Sequence, residues 1–278
     1  MLLNCAGKPL DVSRPAVMGV LNLTPDSFSG DGLADDVEAA CERALALVAA
    51  GAAVIDIGGE STRPGAARVS VDDELARVLP FIERLAPRLT VPISIDTRHA
   101  AVMRAAVGAG AGLINDIAAL REPGALAAAA GLGVPVIVMH MQGEPGTMQQ
   151  APQYDDVVGE VAGFLAQRVA ACVAAGIARE RILIDPGFGF GKTAAHNLAL
   201  LRALPVLCRQ GLPVVAGLSR KSLIGAVTGA PVTQRLGGSI ALGLLAAQRG
   251  ARLLRVHDVA ETVQALAMLD AVQGESNG

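Results

Sequence analysis

The stretch DPGFGFGKT, residues 185–193, ends like a phosphate-binding loop. Such a loop needs a glycine, four spacers and then Gly-Lys-Ser/Thr, so that consecutive backbone N–H groups wrap the phosphates. Counting back from Gly191-Lys192-Thr193 puts Pro186, which has no N–H, at the first position, and starting from Gly187 leaves only three spacers. The motif fails by one residue. ATP binding is not expected, and Lys192 is expected to serve the loop or its solvated rim. Other residues are better placed for chemistry. Arg255 and His257 stand two apart in RLLRVHD, the spacing that points both side chains the same way from a strand. Asn115 and Ile117 have that spacing in LINDI, one polar and one apolar, as the wall and floor of a site would be.

The elements that must hold these residues are legible as an alternation. Short apolar, β-branched runs (AVMGVLN, AVIDIGG, PISID, LINDI, PVIVMH, ILIDPG, PVVAGLS, RLLRVHD) are separated by longer stretches such as DDVEAACERALALVAAG with apolar residues at helical spacing. Strands of this composition, linked by helices, indicate a parallel sheet buried on both faces. Eight such units in a chain of 278 residues predict a (β/α)₈ barrel, a TIM barrel, in one domain with a core over about residues 15–270. The first dozen residues, with Gly7-Lys8-Pro9, predict a short hairpin before the first strand.

Barrel chemistry belongs at the C-terminal ends of the strands. Read in order, those ends carry Asn22, Asp56, Asp96, Asn115 with Asp116, His140, Asp185, Ser219 with Lys221, and Arg255 with His257. A single polar strand end often caps the next helix, the reading for Asp116 and Asp258. Eight in a row describe a polar pocket at the barrel mouth. His99 and His196 lie in helical segments and read as structural.

Two loops, NLTPDSFSGDGLA and GGESTRPGAARVS, exceed the two to six residues usual in such units. They bring Phe28, Thr62, Arg63 and Pro64 beside the pocket. Three of the five phenylalanines, Phe28, Phe188 and Phe190, fall in loops at this mouth, which points to a planar substrate. Composition narrows the partners. A net charge of −3 with no basic run excludes nucleic acid, and the apolar stretch ALAAAAGLGVPVIVM is too broken by Gly and Pro to span a membrane. The N-terminus does not resemble a signal peptide, and four cysteines without CxxC spacing read as free thiols in a reducing cytoplasm.

Taken together, NLTPDSFS, GGESTRPG, ISIDT, LINDI, IDPGFGFGK, GLSRKS and LRVHD resemble the dihydropteroate synthase family of folate biosynthesis, over about residues 15–270. The resemblance implies condensation of 6-hydroxymethyl-7,8-dihydropterin diphosphate with 4-aminobenzoate, releasing diphosphate. It assigns catalysis to Arg63, Asp96, Lys221, Arg255 and His257. Asp185 would accept two hydrogen bonds from the pterin amino edge, Asn115 and Asp96 would read the other edge, and Lys221 would donate to the ring. Ile117, Met139 and Phe190 would form apolar walls. Thr62 falls at both sub-sites. Arg63, Arg255 and a protonated His257 would converge on diphosphate, with Asn22 as the ligand of a magnesium ion. Phe28, Thr62, Pro64, Phe190, Ser219 and Ser222 would receive aminobenzoate, Ser222 by opening the helix after the seventh strand. Lys192→Ala would leave pterin binding nearly intact.

Two other readings share the barrel. A pterin-dependent methyltransferase domain would lack Phe28, the STRPG loop and the Arg-Val-His end, all present here. A non-catalytic pterin-binding paralogue would be marked by substitutions at those positions, and none is present. The family further implies a homodimer, for which the small-residue helix RLGGSIALGLLAA offers a close-packing face.

Overall fold

The computed structural model describes residues 1–23, 37–60 and 68–274. Strands β1 (Leu2–Cys5) and β2 (Lys8–Asp11) form the expected antiparallel hairpin. Its turn residues Ala6 and Gly7 both have positive φ, as a two-residue hairpin turn requires. The hairpin buries Leu3, Cys5 and Leu10 and exposes Leu2 and Asn4, so one face is apolar.

From there strands and helices alternate. The order is β3 (Ala16–Asn22), α1 (Val37–Ala49), β4 (Val54–Gly58), α2 (Val71–Leu85), β5 (Ile93–Asp96), α3 (Ala100–Gly108), β6 (Leu113–Asp116), α4 (Ala125–Leu132), β7 (Val136–Met139), α5 (Val157–Ala174), β8 (Ile182–Asp185), α6 (Ala194–Arg202), α7 (Leu204–Cys208), β9 (Val214–Ala216), α8 (Ser222–Thr228), α9 (Leu236–Gln248), β10 (Ala251–Val256) and α10 (Val259–Gln273). Strands β3 to β10 close in sequence order into a parallel barrel, β10 pairing with both β9 and β3. Among the described residues, two of the seven connections between barrel strands carry a pair of α-helices. Pro205 starts α7 directly after α6, and Gly229, at φ 74°, ends α8 ahead of Pro231.

The core has two main parts. Inside the barrel, Met18, Val54, Leu113, Ile137, Leu183, Val215 and Leu253 form one cluster with Leu3, Cys5, Leu10 and Val12 of the hairpin side. The hairpin therefore closes the bottom of the barrel. Outside it, strand residues such as Ile55, Ile57, Ile93 and Ile95 pack against the helices. Helix α5 has the length and mean hydropathy, 1.5, of a membrane span. Its Val161, Leu165, Val169 and Cys172 are buried within the barrel's outer core, as expected of a packing helix. All four cysteines are free. The two long loops fall largely at 24–36 and 61–67, so Phe28, Thr62, Arg63 and Pro64 lie outside the described residues.

Candidate active site

Strand register builds the site. Asn22 pairs with Gly58, Gly58 with Asp96 and Asp96 with Asn115, one continuous rung across β3–β6. In-register neighbours on parallel strands point to the same face, and Asn22, Asp96 and Asn115 all line a cavity of about 770 Å³ at the C-terminal ends of the strands. Gly58 leaves a gap in the rung, since a Cβ there would sit 3.5 Å from that of Asp96 and 3.7 Å from Asn22 Oδ1. The same cavity receives Ile117, Met139, Asp185, Phe190, Ser219, Lys221, Ser222, Arg255 and His257, so every described residue to which the resemblance gives a substrate or metal role reaches it.

Arg255 stands at the centre. Its Nε donates to Asp56 Oδ2 at 2.6 Å and its Nη2 to Asp96 Oδ2 at 2.8 Å. Asp56 is fully buried one layer below the rung and also accepts from Asn115 Nδ2 at 3.3 Å. Burial opposes the charge on Arg255, but Asp56 and Asp96 outweigh it and hold the guanidinium firmly protonated. Burial pushes Asp96 up to about 7 against the pull of Arg255, with the Asp56 charge adding to the rise. The short contact with a permanently charged guanidinium favours the ionised carboxylate at neutral pH.

Asp185 ends β8, and its Oδ1 accepts from Gly187 N–H at 2.6 Å, an Asx turn that fixes the carboxylate. Burial raises it to about 6, while the Gly187 N–H and the Lys221 and Lys192 charges oppose the rise. Lys221 Nζ lies 4.1 Å from the centroid of the Phe190 ring, a cation–π contact. Burial, assisted by Arg255, lowers this amine to about 8 against the pull of Asp185 and Asp96. The residue before it, Arg220, has φ 58°, the left-handed region that non-glycine residues avoid. The turn is held by Ser239 Oγ, which accepts from Arg220 N–H, and by the pair of Arg220 with Asp258. Ser222 is the first residue of α8, as expected. Ile117, Met139, Met141 and Met148 pack together, with Phe190 against them, as the apolar side of the site.

Several expectations change. Burial and the Arg255 charge lower His257 to about 4, which favours the neutral ring unless an anion faces it. Its Nδ1 lies 3.1 Å from Ser219 Oγ, which also accepts its backbone N–H, so Ser219 orients His257. Phe188 borders the cavity as expected, but its side chain is 1% exposed and packs in the core between strands and helices, so little of its ring is open to a substrate. Lys192 is not at a solvated rim; it is 3% exposed and fully engaged by loop acceptors and His140. His140 is absorbed in that contact and does not line the cavity. Asp116 caps its own turn, accepting from Ala118 and Leu120 N–H. His99 pairs with buried Glu74 at 2.6 Å and His196 completes the capping box of α6, both structural as expected.

Other lining residues were not anticipated. Glu60, two residues past β4, reaches the cavity while its Oε1 accepts from the buried Arg98 at 2.6 Å and from Val69 N–H at 3.3 Å. Met148 and Gln149 come from the β7–α5 connection, residues 140–156, whose length was itself a signal. Arg235 and Val232 extend the cavity outward.

A pocket combining fixed carboxylates, cations and an amide beside a wall of Met, Ile and Phe can hold a polar, planar, anionic ligand. The model of the pterin-binding enzymes matches residues 18–257. The chain belongs to this family. Within it, the dihydropteroate synthase of Escherichia coli strain K12 is 51% identical over 271 residues, covering 98% of this chain and 96% of that protein. The Xanthomonas albilineans dihydropteroate synthase solved with 4-aminobenzoic acid superposes with a TM-score of 0.93 at 58% identity, covering 98% of both chains. The same enzyme in complex with 7,8-dihydropteroate gives 0.90 at 55% identity, over 98% of this chain and 99% of that one. These pterin-binding relatives match the chain from the hairpin to the last helix, so the likeness covers the whole site.

Proposed function

We propose that the cavity joins 6-hydroxymethyl-7,8-dihydropterin diphosphate to 4-aminobenzoate, forming 7,8-dihydropteroate. This chain is a transferase of folate biosynthesis, as its family membership and relatives show. The observation that carries the assignment of roles is the pairing of Asp185, a carboxylate fixed by its own turn, with Lys221 stacked over Phe190 on the same cavity wall. A fixed carboxylate suits the two parallel N–H donors of a pterin edge, and such charged bidentate pairs are strong. Asn115, tethered to Asp56, faces the other edge, and Lys221 serves the ring carbonyl.

Diphosphate is assigned to the Arg255–His257 side of the mouth, with Arg63 from the adjoining loop. Arg255 brings its charge already oriented by two carboxylates. His257 has an open route to a proton once an anion arrives, because an adjacent negative charge raises its affinity for one. A magnesium ion fits Asn22. Among the described residues no group of three His, Cys, Asp or Glu forms a metal cage, and magnesium takes few protein oxygens, keeping water and phosphate oxygens as the rest. When bound, it would supply charge neutralisation on the diphosphate.

Bond breaking leaves the electron pair on diphosphate and a positive charge spread into the pterin ring. Arg63, Arg255 and His257 stabilise the first, and the Asp96 carboxylate, held by Arg255, lies in position for the second. The amine lone pair of aminobenzoate then closes the C–N bond and the nitrogen gives up a proton to the released diphosphate or to solvent, with Phe28, Thr62, Pro64, Phe190, Ser219 and Ser222 assigned to its ring and carboxylate. The cytoplasm is the compartment that suits four free cysteines. Exposed Val227, Leu236, Leu245 and Met268 on α8, α9 and α10 support a homodimer through this side. The deciding experiment is an assay of dihydropteroate formation by the purified protein. Absence of product from both substrates with magnesium would sink the reading.

A further inference from the structure

The lysine of the failed phosphate loop has no role in the chemistry just described, yet it is more fully bonded than any lysine in the site. Lys192 Nζ lies 2.9 Å from each of Gly187 O, Phe190 O and His140 Nδ1, and 3.4 Å from His140 O. Burial lowers the Lys192 amine to about 7, with the Asp185 charge opposing the fall and Lys221 adding to it; as an ammonium it has three protons to give, and these acceptors can take all of them. His140 suits the role of acceptor. Burial and the Lys192 charge lower its ring to about 3, which favours the neutral imidazole, and the tautomer that carries its proton on Nε2 turns the Nδ1 lone pair to Lys192.

The rest of the loop is equally tied. Gly191 O accepts from Tyr154 Oη at 2.9 Å, Gly189 O accepts from Gln149 Nε2, and Gly189 N–H donates to Asn197 Oδ1 at 2.8 Å. Gly187, at φ 67°, presses so closely on β7 that an added Cβ would fall 1.9 Å from His140 O. A lysine that gripped phosphate would turn its amine to the cavity. This one turns it inward, and Lys192 is absent from the cavity lining.

We propose that Lys192 is a positioning residue of the pterin site. By bridging Gly187 O, Phe190 O and His140 Nδ1 it holds the Phe190 ring against Lys221. The role rests on the pterin reading of the cavity, and it is indirect, exerted chiefly through Phe190, since Lys192 touches no ligand and bears on Asp185 only through its charge.

The chain has no tryptophan, so Phe190→Trp gives a single-site reporter. In ligand-free protein its fluorescence anisotropy should fall when Lys192→Met is added, while the melting transition shows the protein still folded. Unchanged anisotropy in the folded double variant overturns the proposal. In a second arm, calorimetric titration with the pterin diphosphate should show a tenfold or greater loss of affinity for Lys192→Met, in place of the nearly intact binding that the sequence alone predicts for Lys192→Ala. In a Phe190→Ala background the same change should cost threefold or less. Equal losses in the two backgrounds, or no loss in the first, would show that Lys192 does not work through Phe190. Lys192→Gln keeps two N–H donors and carries both arms if the methionine variant fails to fold. If the unaltered protein fails to bind the pterin diphosphate, the substrate reading falls, while the anisotropy arm still decides whether the clamp exists.

Discussion

Arg255 Nη2 and Asp96 Oδ2 meet at 2.8 Å across the barrel mouth although 159 residues separate them in the chain. The same guanidinium gives its Nε to Asp56, from a strand earlier still. An arginine left loose would lose rotamer freedom on meeting an anion, and that cost subtracts from binding. Here two carboxylates have already fixed it, so an anion bound at this point would meet an oriented charge.

Asp56 should therefore matter without touching substrate. It is fully buried, and Asp56→Asn would leave one arm of a buried cation without its ionic partner. Breaking a buried pair from one side costs about 3–5 kcal/mol. Urea denaturation should show a loss of that order, and dihydropteroate formation should fall with it. Unaltered stability and activity would show that Arg255 needs only Asp96.

Asp185→Asn replaces an ionised acceptor by an amide that presents N–H to the N–H edge of the pterin. Removing one side of a charged, buried hydrogen-bond pair should weaken pterin diphosphate binding by roughly 2–5 kcal/mol. Calorimetry that finds the affinity intact would remove Asp185 from the pterin edge.

The depressed value of His257 makes a prediction about protons. A native value of about 4 against 6.5 favours the neutral ring. The associated stability is present above about 6.5 and is lost as pH falls toward 4, because the unfolded chain binds the proton more readily in that window. Diphosphate should reverse the preference and draw a proton in. Calorimetry near pH 6 in buffers of different ionisation enthalpy should detect proton uptake with diphosphate, and His257→Gln should abolish it. Uptake that persists in the variant would place the proton elsewhere.

In the sequence Arg63 stands between Thr62 and Pro64, so neighbours in the chain are assigned to different sub-sites. Fixing a residue costs about 1–2 kcal/mol, and a ligand that fixes Arg63 contributes part of that cost for the next one. 4-Aminobenzoate should bind more tightly with magnesium diphosphate present, and Arg63→Ala should erase the difference. Equal affinity in both conditions would refute the coupling.

The sequence made the barrel legible because an apolar β-branched run broken by a polar residue is a local signal, repeated eight times. It placed Asp96, Asn115, Asp185 and Arg255 at strand ends for the same reason. What it did not show were facts of register and burial. Asp56 looked like one more strand end, and only barrel closure brings it to Arg255, 199 residues away. Phe188 and Phe190 stand in identical glycine contexts, yet one ring enters the core and the other remains half-buried beside Lys221. Lys192 resembled a solvated lysine because its acceptors are mostly backbone carbonyls, which carry no residue signature. The Arg98–Glu60 pair joins residues from two consecutive βα connections, and neither spacing announces it.

The N-terminal hairpin has a bearing on traffic as well as on stability. Because Leu3, Cys5, Leu10 and Val12 merge with the barrel's inner side chains into one buried cluster, the well has a floor. Asp185 and Asn115 lie on its wall, while Val232 and Arg235 extend it outward. A two-substrate reaction in such a vessel is a queue. If the pterin seats on that wall and the aminobenzoate above it, the pterin enters first, and the joined product backs out whole through the opening that admitted its halves. A molecule that lodges at the rim can therefore block the site without ever reaching its floor.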